Sequence, residues 1–404
     1  MVCALVAGAQ TTWGLVIPVL PVYADRLGAD AAALGVVVAA FGLGRLVAGV
    51  PAGALAQRAH RRRLLLAAAA GLAVVTLATV AVSSLAQLVV LRAVTGLVGG
   101  VVMTAGQAIL TDSDPARLGR TMATLQSYHI VGGALGPALG GLVVGVDDRL
   151  PFLIGGLGIG ALALLGLVRI PPAPAPGHRH RDAPPQAAVR LWNRALVGMC
   201  LVSFTIFFFR FGGQQFLVPV LAYQRAGLSP AQFGAALAAV TVAGLLLVGL
   251  AGAATDRWGR RFMVSATTTL LGLASLGYLG AGHPAAFLAT LVLTGVLITA
   301  GGPATGAYLA DCAPPQRRGL AIGITRTCGD AATLLGPPLL GWLVAAGDTA
   351  TAVAALGGAT ALAGLVFARL SRPRPAAPAP PADHPSPDPL REENPHAGRT
   401  VPAA

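Results

Sequence analysis

Of 404 residues, 55% are hydrophobic and 11% are charged, which is more apolar surface than one soluble core can hide and excludes an ordinary soluble enzyme or binding domain. The net charge of +13 comes entirely from arginine, for the chain has no lysine, and the arginines fall in short stretches between apolar runs rather than on one face that could hold nucleic acid. Four scattered cysteines, Cys3, Cys200, Cys312 and Cys328, form neither a disulfide framework nor a zinc site.

Apolar stretches long enough to cross a bilayer lie near 2–23, 31–56, 64–83, 85–110, 119–146, 150–169, 195–221, 231–255, 262–281, 284–310, 319–346 and 349–370. They predict an all-α integral membrane protein of twelve transmembrane helices, packed through small residues, since 53 glycines are roughly twice the usual share. The even number places both termini on one side. No cleavable signal precedes the first stretch, and the lack of basic residues ahead of it leaves open a start further upstream. Sixteen arginines lie in alternate connections, among them Arg61, Arg62, Arg63, Arg179, Arg260 and Arg318, against Arg26, Arg149 and Arg225 in the opposite ones. That bias predicts cytoplasmic termini in a multi-pass plasma-membrane protein.

Four regions follow. Residues 1–170 make an amino-terminal six-helix bundle and 195–371 a carboxy-terminal one. Between them, 171–194 reads as an extended, Pro- and Arg-rich cytoplasmic linker, in which His178 and His180 are too few to hold a metal. The Pro- and Ala-rich tail at 372–404 is expected to be disordered and cytoplasmic.

The halves repeat each other. Leu135, Gly136, Pro137, Leu139 and Gly141 recur as Leu335, Gly336, Pro337, Leu339 and Gly341, Pro18 recurs as Pro219, and Asp112 recurs as Asp311. One offset of 199 to 201 residues across three helix pairs makes two pseudo-symmetric bundles running parallel, with a substrate site expected at their interface near the midplane. A Gly-Pro pair deep in an apolar span bends the helix and frees carbonyls that only neighbouring helices or a cavity can satisfy.

Further motifs are Gly252, Asp256, Arg257, Gly259, Arg260 and Arg261 after the eighth stretch, a degraded copy at Gly53, Gln57, Arg58, Arg61 and Arg62 after the second, Arg92 with Gly96 and Gly100 in the fourth, and Gly132, Gly136-Pro137 and Gly140-Gly141 in the fifth. Together they resemble the major facilitator superfamily over nearly the whole chain, and within it the twelve-helix drug:proton antiporters. The resemblance implies the major facilitator fold, a conformational latch at Gly53, Gln57, Arg58, Gly252, Asp256, Arg257, Gly259 and Arg260, and a glycine-rich interface at Gly136, Pro137, Gly140, Gly141, Gly336 and Pro337. It also makes Arg92 a candidate for proton transfer. Gln57 stands where the family has an acid, which weakens the first latch.

Polar residues inside the spans are few. Asp330 is the one interior acid, near the middle of a core about 30 Å thick, with Arg326 four residues before it as the expected ion-pair partner. His129, at similar depth in the fifth span, suits proton carriage. Proton coupling is therefore expected at Asp330, Arg326, Arg92 and His129, and a moderately polar substrate cavity at Gln10, Thr12, Trp13, Arg45, Gln107, Gln126, Tyr128, Arg210, Gln214 and Gln215. No phosphate-binding loop, paired nucleophile and base, or metal cluster stands out, so no enzyme, cofactor or metal is expected, and a proton gradient is the energy source. The sequence thus reads as a monomeric secondary transporter whose partners are lipid, protons and a small molecule. Proton-coupled efflux of drug-like organic compounds is the favoured reading. Transport of one specific metabolite, or a non-transporting membrane sensor or assembly factor, are the alternatives.

Overall fold

The computed structural model describes the backbone of residues 1–58, 60–113, 118–171, 193–312 and 318–371, with side chains throughout these except at 50, 52–58, 111–113, 118–120, 122, 123, 126, 130, 318 and 319. The expected linker lies almost wholly, and the expected tail entirely, outside the described residues. Twelve helices are long and apolar enough to span a membrane, and no strand occurs among the described residues. They are α1 (Val2–Arg26), α2 (Ala31–Arg58), α3 (Arg61–Ala78, extended by a 3-10 turn at Thr79–Ala81), α4 (Leu85–Ser113), α5 (Leu118–Val144) and α6 (Leu150–Arg169) in the first half. The second half has α7 (Arg194–Gln224), α8 (Pro230–Trp258), α9 (Arg260–Ser275, extended by a 3-10 turn at Leu276–Gly280), α10 (Pro284–Cys312), α11 (Arg318–Ala345) and α12 (Thr349–Leu370). Large apolar side chains such as Val74, Leu164 and Leu246 remain exposed on the outside, where lipid replaces a protein partner.

Turn chemistry repeats between halves. Gly28 after α1 and Gly227 after α7 both take positive φ, at 76° and 65°, a conformation that a Cβ would strain. Each is followed by a polar cap on the next helix: Asp30 accepts from the Ala33 N–H at 2.7 Å, and Ser229 forms a capping box with Gln232. One element departs from the expected regular helices. Between two α-helical pieces, α7 runs as a π-helix over Phe208–Leu217, which places Arg210, Gln214 and Gln215 on a widened turn around Gly212 and Gly213.

Within the first half α1 packs on α5 and α6, α2 on α4, and α3 on α4 and α6; within the second, α9 packs on α12 and α10, α8 on α10, and α7 on α11 and α12. Two extended contacts join the halves, α2 with α11 and α5 with α8. The cores show where. At the end opposite the termini, one core mixes Val19, Leu20 and Val37 of the first half with Phe216, Leu217, Phe233 and Leu340 of the second. Toward the termini the cores separate: Leu5, Leu65, Leu72, Met103 and Ile159 cluster in the first half, and Met199, Val264, Ala304 and Phe367 in the second. Among the described residues the halves are thus closed into one core at one end and parted into separate cores at the other, and the Tyr223 hydroxyl, donating to the Pro18 carbonyl at 2.5 Å, ties the closed end across the halves.

Candidate functional site

The α2–α11 contact descends from the closed end in rungs. A Cβ on Gly35 would lie 2.5 Å from the Pro337 carbonyl oxygen, and one on Gly42 would lie 2.6 Å from Cγ2 of Thr333, so the helices meet almost backbone to backbone. One turn further, Arg45 and Asp330 form the next rung, with Nη2 3.1 Å from Oδ1 and side chains only 14% and 10% exposed. Oδ1 makes no aligned hydrogen bond among the described residues, so the pair is held by charge and proximity. Three rings wrap it. The Arg45 guanidinium carbon lies 6.0 Å from the Phe41 and Phe207 ring centroids and 5.6 Å from that of Phe211, while that of Arg92 lies 5.0 Å from the Phe41 centroid.

This corrects the expected Arg326–Asp330 pair. Helical spacing allows that pair, but Asp330 shares its face with Thr333, which packs on α2, and is therefore carried to Arg45. Arg326, one turn nearer the parted end, is exposed and makes no ion pair among the described residues. The structure brings Arg45, Arg326, Arg210, His129 and Asp330 into one neighbourhood, within electrostatic reach of one another. Arg210, on the π-helical turn of α7, is exposed and stands between Phe207 and Phe211, whose rings lie against Arg45. His129 is half-buried with Nε2 unpartnered, Tyr128 is exposed, and Gln10, Gln107, Gln214 and Gln215 are half-buried.

Other expected positions fall elsewhere. Thr12 is buried against α6 with its hydroxyl 2.9 Å from the Gly8 carbonyl and 3.4 Å from that of Gly155, and faces away from the space between the halves. Trp13 packs edge-on against Phe41 at 5.4 Å, beside Gly99 of α4, and its indole N–H finds no acceptor among the described residues. Arg92 is buried and meets an aromatic face, with Nε unpartnered. The side chains of Gln126, Gln57 and Arg58 lie outside the described residues, and Gly53 is described only as part of the α2 backbone.

The glycine-rich stretch divides its work between two neighbours. Gly132, Gly136 and Gly140 all face α1 of their own half; Gly141 alone meets α8, where a Cβ would lie 2.5 Å from the Pro230 carbonyl oxygen and 2.7 Å from the Gly234 Cα. In the repeat, Gly336 faces α7 and Gly341 faces Ala31 and Gly35 of α2. At the α8–α9 turn Gly259 has φ 85°, and Arg260 grips both oxygens of Asp311 at 2.6 and 2.7 Å, whereas Asp256 and Arg257 are exposed with no ionic partner among the described residues. Arg261 clasps the end of α12 through the Ala368 carbonyl and the Ser371 hydroxyl, as Arg62 clasps the end of α6 through the Leu167 and Ile170 carbonyls. These loop arginines are therefore structural anchors. Sequence reasoning missed the aromatic wrap; the signal was Phe41 one turn from Arg45, and Phe204, Phe207, Phe208 and Phe211 at helical spacing.

The family model described as Major Facilitator Superfamily matches residues 2–229 and 202–400. Multidrug resistance protein MdtG of Salmonella paratyphi C is 35% identical over 138 residues, 33% of this chain and 34% of that protein. Quinolone resistance protein NorA of Staphylococcus aureus is 29% identical over 153 residues, 38% of this chain and 39% of that protein. The matches thus span little more than a third of either relative. Among solved structures, a bacterial homolog to the human lysosomal transporter Spinster, inward-facing and unoccupied, has TM-score 0.76 at 14% identity, covering 91% of this chain and 94% of that one. A D-xylose-proton symporter has TM-score 0.75 at 18% identity, covering 90% and 95%. At such identities the likeness concerns the fold.

Proposed function

Because the chain belongs to the Major Facilitator Superfamily, a family of membrane transporters, we propose that it is a proton-coupled exporter of small organic compounds in the plasma membrane, working by alternating access. The observation that carries this reading is the Arg45–Asp330 pair, buried at the point where the joined end of the halves gives way to the parted end. With cytoplasmic termini, which the arginine bias supports, the parted end faces the cytoplasm and admits substrate. Bound substrate supplies the energy to break the pair, so α2 and α11 part and the opposite end opens; a proton entering there from outside neutralises Asp330 and is carried inward as the halves swing back. Loss of the proton rebuilds the pair. The resistance functions in the names of the two relatives support export over uptake.

The test is a substrate screen in everted membrane vesicles carrying a pH-sensitive dye. Export coupled to protons dissipates an imposed inside-acid gradient when substrate is added, and the Asp330→Asn protein does not respond. Substrate movement that builds the gradient, or that ignores it, overturns the reading.

A further inference from the structure

Four arginines lie inside the spans away from their ends, Arg45, Arg92, Arg210 and Arg326, against one acid, Asp330. Asp330 is committed to Arg45, and Arg92 spends its charge on the face of Phe41. Arg210 and Arg326 have neither carboxylate nor ring: no hydrogen bond, ion pair or aromatic contact engages them among the described residues. Both are exposed; Arg326 lies one helical turn from Asp330, and Arg210 stands between Phe207 and Phe211, whose rings lie against Arg45. They come from different helices, α7 and α11, and share a neighbourhood with His129 of α5, whose Nε2 is buried and unpartnered. In the parted state water can solvate the two guanidiniums. When the halves close over them that water is withdrawn, and an uncompensated cation in a membrane interior is strongly unfavourable. A bound counter-charge removes the penalty.

We propose that the space between the halves is a binding site for an organic anion, its carboxylate, sulfonate or phosphate held by Arg210 and Arg326 and its apolar body laid against Phe207 and Tyr128. Guanidinium forks suit such groups, which accept two parallel N–H bonds in a charge-assisted pair. The half-buried amides of Gln214 and Gln215, carried on the same π-helical turn as Arg210, supply neutral donors beside it. The halves then close readily around an anion and poorly around an empty or cation-filled site. This deepens the export reading by naming the charge of the cargo, and rests on it for the identity of the cavity.

Purified protein in detergent separates the two ideas, using carboxyfluorescein as an anionic probe and rhodamine 123 as a cationic probe of similar shape. Carboxyfluorescein should bind and rhodamine 123 should not. Arg210→Gln and Arg326→Gln should each weaken carboxyfluorescein binding about tenfold or more, as expected for loss of a charge-assisted bond, and Arg326→Lys should recover part of it. Monodisperse elution of each variant establishes that it is folded, and Arg326, being exposed, is the safer of the two. Rhodamine 123 binding in preference to carboxyfluorescein, or carboxyfluorescein binding indifferent to both substitutions, overturns the inference. So does full displacement of the probe by millimolar sulfate, which would make this a site for inorganic anions. If everted vesicles exchange rhodamine 123 for protons while carboxyfluorescein is ignored, export stands and the anion site falls.

Discussion

Asp330→Asn is the perturbation that bears most directly on how the halves are held. The substitution keeps the shape of the side chain and removes the counter-charge of a guanidinium that is 14% exposed. Breaking a buried ion pair from one side destabilises by about 3–5 kcal/mol, because the other charge stays buried. Three ring faces around Arg45 offset part of this, at about 0.5–1 kcal/mol each or less. A net loss of about 3 kcal/mol, confined to the state in which the pair exists, shifts the ratio of closed to open at this end by about a hundredfold. Nitroxide labels at Asp25 and Gln224, exposed positions at the ends of α1 and α7, report that end by double electron–electron resonance in a cysteine-depleted background. The Asp330→Asn protein should move to longer label distances. Arg45→Gln combined with Asp330→Asn should move part of the way back, since no charge is then left unpaired. Distances in the single variant that match the wild type, with proton-driven transport intact, would refute both the energetic argument and the coupling role of Asp330.

Gly234→Ala places a methyl 2.5 Å from the Pro137 carbonyl oxygen and 2.7 Å from the Gly141 Cα, so it should lengthen the same label distance at an overpacking cost of about 1–3 kcal/mol. Arg260→Gln breaks a pair whose side chains are 44% and 54% exposed, and should change thermal stability by less than about 1 kcal/mol. Arg261→Ala should cost more in the same melting experiment, because it strands the Ala368 carbonyl at the end of α12 and removes a donor to the Ser371 hydroxyl. Cysteines introduced at Val146 and Ala183 should be labelled from outside intact cells only at Val146; labelling at Ala183 would reverse the assigned sidedness.

The helices were legible because bilayer thickness imposes a length on each apolar run, and because a fixed offset between Gly136-Pro137 and Gly336-Pro337 reveals duplication regardless of what the residues do. What sequence could not resolve is which neighbour a small residue approaches. Gly132, Gly136, Gly140 and Gly141 look alike as a motif, yet three lie against α1 and one against α8, since successive glycines on a helix face different directions. The π-helical turn in α7 was equally hidden, as Gly212-Gly213 permits it without requiring it. Asp330 was found because it is the lone interior acid, but its partner was sought within its own helix, where spacing rules reach four residues and the actual partner is 285 positions away in sequence.

The repeat gives that pair a further meaning. Gly35 of α2 and Gly234 of α8 hold equivalent places, as do Pro337 of α11 and Pro137 of α5, so the two contacts joining the halves are copies of one design. Carried along the same offsets, Arg45 corresponds to Gly244 and Asp330 to Ile130. The α5–α8 copy therefore has no charge at the level where the α2–α11 copy has its ion pair. An event that neutralises Asp330 weakens one contact and leaves the other untouched, so the halves part on the α2–α11 side while α5 and α8 still hold them in register. A symmetric pair of switches would have to be thrown together. On the proposed coupling, restricting the charge to one copy lets a single proton suffice.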